Sequence, residues 1–107
     1  MLQGFVAFPA DFARRYREAG YWGDQSLAQE FAAVFGRFAT RTALIDSGSG
    51  PCGDGDRQWT YAELDAASDN LALNLLDLGL EPLDRVVPTL PNVAEFVILY
   101  FALQKIG

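Results

Sequence analysis

Apolar residues recur along the second half of the chain in two different rhythms. Leu64, Ala67, Leu71, Leu75 and Leu78 fall three or four apart, the spacing of a helix with one buried face. Thr60 ahead of this run and Glu63 three residues later have the spacing of a capping box, and Gly79 supplies a left-handed stop. From 85 to 90 the apolar residues close up and include Val86 and Val87, which predicts a short strand broken by Pro91 and Asn92. The run 96–103 is apolar on every side. Asn92 and Glu95 repeat the cap spacing at its head, and Gly107 follows it. A helix with no polar face is built to be surrounded. With a short strand at 57–60 in front, the order is strand, helix, strand, helix. In such an alternation each helix crosses the sheet to deliver another parallel strand, so the pattern predicts that the fold continues beyond Gly107.

The first half is more helical. Pro9 suits the first position of a helix running to about Ala19, with Gly20 as its stop. Phe12, Tyr16 and Ala19 share a face, and Asp11 precedes Arg15 by four residues in the favourable order. Tyr21 and Trp22 are expected to pack back as an aromatic anchor. Ser26 and Gln29 give a second capping box for a helix to about Ala39, with Leu27, Phe31, Val34, Phe35 and Phe38 as its buried face. Gly36 inside it costs about 1 kcal/mol relative to alanine. A strand at 42–46 pairs with the strand at 57–60 as a hairpin, and the glycine-rich segment 47–56 forms an enlarged tip. The expected class is α/β, with N-terminal helices, a β-hairpin and an incomplete β-α-β-α unit. Residues 1–40 read as a helical arm and 41–107 as the start of a truncated α/β domain.

Composition narrows the chemistry. Half of the residues are hydrophobic and 13% are aromatic, enough for a modest core. The net charge is −6, and the nearest thing to a basic stripe is Arg14, Arg15 and Arg17, interrupted by Tyr16 and flanked by Asp11 and Glu18. That is the solvated face of a helix, so no nucleic-acid partner is expected. The longest apolar run falls short of the ~20 residues of a bilayer span, so no membrane is expected either. One cysteine, Cys52, cannot form a disulfide within the chain, and no secretion signal opens the sequence, so the expected setting is the cytoplasm. The absence of histidine excludes a Ser-His-Asp or Cys-His site built from this chain alone. The tip lacks the helix, lysine and Ser/Thr that follow a phosphate loop. Asp46, Asp54 and Asp56 lack the alternate-residue spacing of a calcium loop, so 47–56 reads as a solvated connector.

The succession Thr60-Tyr61-Ala62-Glu63-Leu64, Leu71-Ala72, Leu75, Gly79, Asp84-Arg85-Val86, Asn92, Glu95, Ala102 and Gly107 resembles the N-terminal region of the acyl-adenylate-forming superfamily. Met1-Leu2-Gln3-Gly4-Phe5, Pro9, the block from Phe12-Ala13-Arg14 through Gly20-Tyr21-Trp22, and Leu90-Pro91-Asn92-Val93-Ala94-Glu95-Phe96 are similar to the aryl-acid AMP ligases within it. Those enzymes activate 2,3-dihydroxybenzoate or salicylate in siderophore biosynthesis. The resemblance implies the opening part of such an enzyme. It also implies ATP and Mg as requirements of the full-length protein, an aryl carrier protein as its partner, and the missing C-terminal part as the partner of this chain. The family's Ser/Thr/Gly-rich loop ending in lysine, its acidic magnesium and ribose ligands and its late lysine have no counterpart here. Lys105, the only lysine, ends a helix with no such loop before it. Hence no catalytic, cofactor-binding or metal-binding residue is assigned, and the chain is not expected to be catalytic alone.

Two positions depart from the family pattern. Leu83 stands where a glycine usually precedes Asp-Arg-Val, and a leucine tolerates a left-handed turn poorly. Pro88 stands in the strand at 85–90, where it removes a ladder donor. Two other readings remain: a free-standing noncatalytic interaction module, or the N-terminal piece of an acyl-CoA synthetase or peptide-synthetase adenylation domain. If Gly107 is a cut edge, the uniformly apolar last helix predicts self-association of the isolated chain, whereas a compact monomer would favour the free-standing module.

Overall fold

The computed structural model describes residues 6–47 and 56–107. Six elements follow in order: α1 (Ala10–Glu18), α2 (Leu27–Arg37), β1 (Thr42–Asp46), β2 (Arg57–Thr60), α3 (Tyr61–Asp77) and α4 (Ala94–Ile106). Cys52, Asp54 and most of the tip between β1 and β2 lie outside the described residues, so the connector reading of 47–56 is not tested. Among the described residues no helix is long and apolar enough to cross a membrane.

Pro9 occupies the N-cap position of α1 without a side-chain bond, one residue ahead of the first helical position expected for it, and Gly20, at φ +74, turns the chain out of the helix. The backbone N–H groups of Tyr21 and Trp22 both donate to the Tyr16 carbonyl, at 2.9 and 3.3 Å. This folds the aromatic pair back, and Phe8 completes the cluster, 4.9 Å from Trp22 and 5.9 Å from Tyr16 between ring centres. The anchor closes on the arm itself, for α1 packs against none of the other elements.

The starts of α2 and α3 each carry a complete capping box. In α2 the Gln29 N–H donates to Ser26 Oγ (3.3 Å) while the Ser26 N–H donates to Gln29 Oε1 (2.8 Å). In α3 the Glu63 N–H donates to Thr60 Oγ1, and the Thr60 N–H donates to Glu63 Oε2. Two further free donors of α3 are taken up by the chain before β1: Tyr61 N–H by the Arg41 carbonyl (3.0 Å) and Ala62 N–H by the Ala39 carbonyl (2.9 Å). The hairpin is thereby fixed to both α2 and α3. Its strands pair antiparallel, Asp46 opposite Arg57 and Thr42 opposite Thr60, with an irregularity between Thr42 and Leu44 that takes up Ala43.

Phe35, Leu64 and Ile98, from α2, α3 and α4, form the centre of the core. Phe101 meets Phe31 and Phe35 edge-on at 4.9 and 5.0 Å, the arrangement preferred by the ring quadrupoles. The small residues Ser68, Ala72, Ala94 and Ala102 are buried as well, which lets α3 and α4 lie close together. The expected faces are trimmed at their edges. Leu27 and Val34 of α2 are 54% and 39% exposed, because α2 meets its neighbours only along the Phe31–Phe35 side, and Leu78 is 81% exposed because α3 ends at Asp77.

Two details differ from the sequence expectation. Residues 84–90 belong to no strand; the described sheet is the two-stranded hairpin. Val87 is exposed, Pro88 has no N–H to offer, and neither β1 nor β2 pairs with this segment. The cap of α4 also differs. Val93 occupies the N-cap position without a side-chain bond, and Glu95 does not reach back to Asn92.

The irregular segment opens with a tight turn at 81–84, closed by the Asp84 N–H donating to the Glu81 carbonyl (3.1 Å) and by the Glu81 N–H donating to Asp84 Oδ2 (2.9 Å). Pro82 and Leu83 are its central residues, and Leu83 has φ +76, as the third position of a type II turn requires. Leucine pays a steric penalty there that glycine avoids. Gly36 presents the opposite case, since a β-carbon added to it would meet nothing within 4 Å. Gly36→Ala is therefore expected to stabilise the chain by about 1 kcal/mol. Leu83→Gly is expected to stabilise it by somewhat less, since relief of strain is offset by unfolded-state entropy. Urea unfolding of both variants checks the pair, and a loss of stability in either contradicts it.

Candidate functional site

The most organised polar site joins the base of the hairpin to the start of α4. β1 and β2 bring Asp46 and Arg57 opposite each other at the last described pair of the ladder. Arg57 Nη2 lies 2.5 Å from Asp46 Oδ2, and the same guanidinium forks onto Glu95, Nη1 to Oε1 at 2.8 Å and Nη2 to Oε2 at 3.1 Å. Asp46 Oδ2 also accepts from the Ala94 N–H at 3.0 Å. The carboxylate that caps α4 thus comes from 48 residues away, and it sits where the helix dipole favours negative charge. Asp46 is 6% exposed.

The bonds set the ionisation. Donation to Glu95, then to Asp46, pushes the Arg57 pKa up, against a smaller opposing effect of burial. The Glu95 carboxyl is held below its ordinary value, first by the Arg57 hydrogen bonds and then by its own backbone N–H at the helix start. Glu63 is lowered by the Thr60 N–H and then the Thr60 hydroxyl. A carboxyl whose folded pKa lies below its unfolded one contributes stability above the unfolded value and loses it as pH falls through the folded one. The melting temperature is therefore expected to decline below the ordinary glutamate range. In Glu95→Gln that decline should be shallower, which a pH series of thermal melts measures.

A second cluster holds the three packed helices together. Lys105 Nζ, from the last turn of α4, reaches Asp65 Oδ1 (2.6 Å), Asp69 Oδ1 (2.6 Å), Ser68 Oγ (2.9 Å) and the Asp65 carbonyl (3.1 Å), all on α3. It also lies 5.8 Å from the centre of the Phe35 ring of α2. Burial pulls the lysine pKa down, but the hydrogen bonds and charges of Asp65 and Asp69 outweigh it and the net shift is upward.

Among the described residues neither cluster faces a cavity of ligand size. Shallow clefts of 170, 160 and 220 Å³ lie beside the 81–84 turn, between β1 and the start of α4, and against Leu90 and Phe96. A small-molecule site is typically about 300–1,000 Å³. Among the described residues no group of three or more His, Cys, Asp or Glu side chains could hold a metal. Asp46 is turned inward onto Arg57 and Ala94 and Asp56 is exposed, while Asp54, the third of the acidic trio, lies outside the described residues. Arg14 pairs with Glu18 and Arg17 with Asp24 at the surface, and Arg15 lies over Phe12, as befits a solvated helix face. What the arrangement does is mechanical: Arg57 and Lys105 clamp elements distant in sequence. The tie between Asp46, Arg57 and Glu95 escaped the sequence reading. The facing positions of Asp46 and Arg57 in the hairpin were its one signal.

Residues 31–107 match the family model described as AMP-binding enzyme. The salicyl-AMP ligase / salicyl-S-ArCP synthetase of Mycobacterium tuberculosis is 42% identical over 99% of this chain and 18% of its own length. The 2,3-dihydroxybenzoate-AMP ligase of Bacillus subtilis is 35% identical over the whole chain and 18% of its own length. The apo structure of MbtA from Mycobacterium smegmatis superposes with a TM-score of 0.81 at 41% identity, covering 94% of this chain and 18% of that one. The chain thus spans less than a fifth of the relatives it matches and corresponds to their N-terminal part. Because the family model spans residues 31–107, well over half of the chain, the chain belongs to the AMP-binding enzyme family.

Proposed function

We propose that this chain is the N-terminal part of an ATP-dependent aryl-acid adenylating ligase of siderophore biosynthesis, working in the cytoplasm and supplying scaffold rather than reacting groups. The observation that carries this reading is the match, over nearly the whole chain, to proteins named as salicyl-AMP and 2,3-dihydroxybenzoate-AMP ligases. In the proposed reaction the aryl carboxylate attacks the α-phosphorus of ATP and pyrophosphate leaves. The acyl-adenylate then passes to the thiol of an aryl carrier protein, releasing AMP. Positioning and cations around the phosphates are what such a step needs. The engagement of Arg57 and Lys105 with carboxylates, which takes up Asp46, Asp65 and Asp69, supports a scaffold role for these clusters rather than contact with ATP or Mg. The reacting groups belong to the part of the enzyme that lies outside this chain.

The test is a chimaera in which residues 1–107 replace the matching segment of the M. tuberculosis salicyl-AMP ligase. Salicylate-dependent ATP–pyrophosphate exchange is expected in the chimaera and not in the 107-residue chain alone. A folded chimaera without exchange, or exchange by the isolated chain, overturns the proposal.

A further inference from the structure

The N-terminal helix and the helical body are each complete without the other. Gly20 turns the chain out of α1, and α2 opens on its own capping box of Ser26 and Gln29. Between them Gly23, Asp24 and Gln25 are exposed and lie outside any helix or strand. Among the described residues no hydrogen bond, ion pair or ring contact crosses from 6–24 to the rest of the chain, and α1 packs against none of the other elements. The ties of this segment all turn inward. Trp22 lies 4.9 Å from Phe8 and 5.3 Å from Tyr16 between ring centres, Tyr21 lies 6.2 Å from Tyr16, and the Arg17 guanidinium stands 5.9 Å from the centre of the Trp22 ring. The closure is shallow: α1 buries none of its residues, and Phe8 and Trp22 stay 51% and 38% exposed. A unit this short buries too small a share of its surface to be more than marginally stable. The body instead closes around Phe35, Leu64 and Ile98. Units that share no contacts open separately, the weaker one first.

We infer that residues 6–22 form a strap, hinged at 23–25, that opens and closes on its Tyr16–Trp22 clasp by itself while the body stays folded. Opening releases Phe8, Phe12, Tyr16, Tyr21 and Trp22 together and leaves the core untouched. The two tryptophans report the two units separately, since Trp22 belongs to the clasp and Trp59 packs on the body core. Trp59→Phe and Trp22→Phe give two single-tryptophan versions of the 107-residue chain. The first of these changes sacrifices no hydrogen bond, because the buried Trp59 indole N–H has no acceptor among the described residues. Urea unfolding followed by fluorescence is expected to give a Trp22 midpoint about 1 M or more below the Trp59 midpoint. In Phe8→Ala the Trp22 midpoint should fall further, or its transition disappear, with the Trp59 midpoint unmoved. In Ile98→Ala the Trp59 midpoint should fall while Trp22 keeps its own transition, and that transition remains the readout even where the body no longer folds. Coincident midpoints in the two single-tryptophan chains, or a Phe8→Ala that shifts both signals equally, overturn the inference. A Trp22 signal that is already that of the unfolded chain without urea overturns it too, for the clasp is then never closed. None of these outcomes depends on the adenylating-ligase reading.

Discussion

Asp46→Ala is expected to destabilise the chain by about 2–4 kcal/mol. Loss of an N-cap acceptor costs about 1 kcal/mol, and loss of a hydrogen bond to a charged group about 1.5–3 kcal/mol. Asp46 supplies both, to the Ala94 N–H and to Arg57. A domain of this size is stable by only about 5–15 kcal/mol, so one side chain at the hairpin base accounts for a substantial share. Asp46→Asn keeps an acceptor for Ala94 and loses the charge, so its effect should be smaller. The partner behaves differently. In Asp46→Ala the guanidinium keeps its fork to Glu95 and its access to water. In Arg57→Met a carboxylate 6% exposed loses the guanidinium that neutralises it. Removing one member of a pair costs most when the charge left behind is the buried one. Arg57→Met should therefore be the worse of the two, and the double variant should cost less than the sum of the singles. Urea unfolding measures all four, with the midpoint falling and the slope unchanged. A neutral Asp46→Ala, or an Arg57→Met milder than it, would contradict the arrangement.

How much of this was legible beforehand follows the range of each interaction. The capping boxes at Ser26–Gln29 and Thr60–Glu63 span three residues, and the sequence displays both partners at a fixed offset. The hairpin and the core positions Phe35 and Leu64 follow from local pattern in the same way, whereas Ile98 lies in a run apolar on every side, where periodicity marks no buried face. Leu83 was marked by its place before Asp84-Arg85-Val86, and its φ of +76 bears that out. The cap of α4 could not be read locally. Asn92 and Glu95 have the right offset, yet Glu95 meets Arg57 and the helix is capped from β1, because tertiary ion pairs outweigh one local bond. Residues 84–90 went the other way: strand composition was present, but a strand forms only beside another backbone, and none of the described segments pairs with it. The absence of a reacting site was argued from missing motifs. Nothing in those motifs pointed to what Lys105 does instead.

Lys105→Met is expected to destabilise the chain by about 2 kcal/mol. Methionine nearly matches the lysine stem in volume, so packing on Phe35 is largely kept and the loss is mainly polar. The ion pairs to Asp65 and Asp69 are partly exposed, at 40% and 60% for the two carboxylate side chains, so each contributes no more than about 1 kcal/mol. The bond to Ser68 matters more, because Ser68 is fully buried. Its hydroxyl donates to the Asp65 carbonyl at 2.9 Å and accepts from Lys105, so the methionine variant leaves that acceptor unpaired out of reach of water. In a Ser68→Ala background the same change should therefore cost less, and the double-mutant cycle should give a coupling of about 0.5–1 kcal/mol. The pH dependence supplies an independent check. Because the folded pKa of Lys105 is raised, its contribution is fully present below the ordinary lysine value and is lost only as pH rises through the raised one. The difference between the parent chain and Lys105→Met should thus be flat across neutral pH and shrink under strongly alkaline conditions. A difference that already vanished near neutrality would place the lysine in a different environment, and a Lys105→Met chain as stable as the parent would show that α3 and α4 are held by their apolar seam alone.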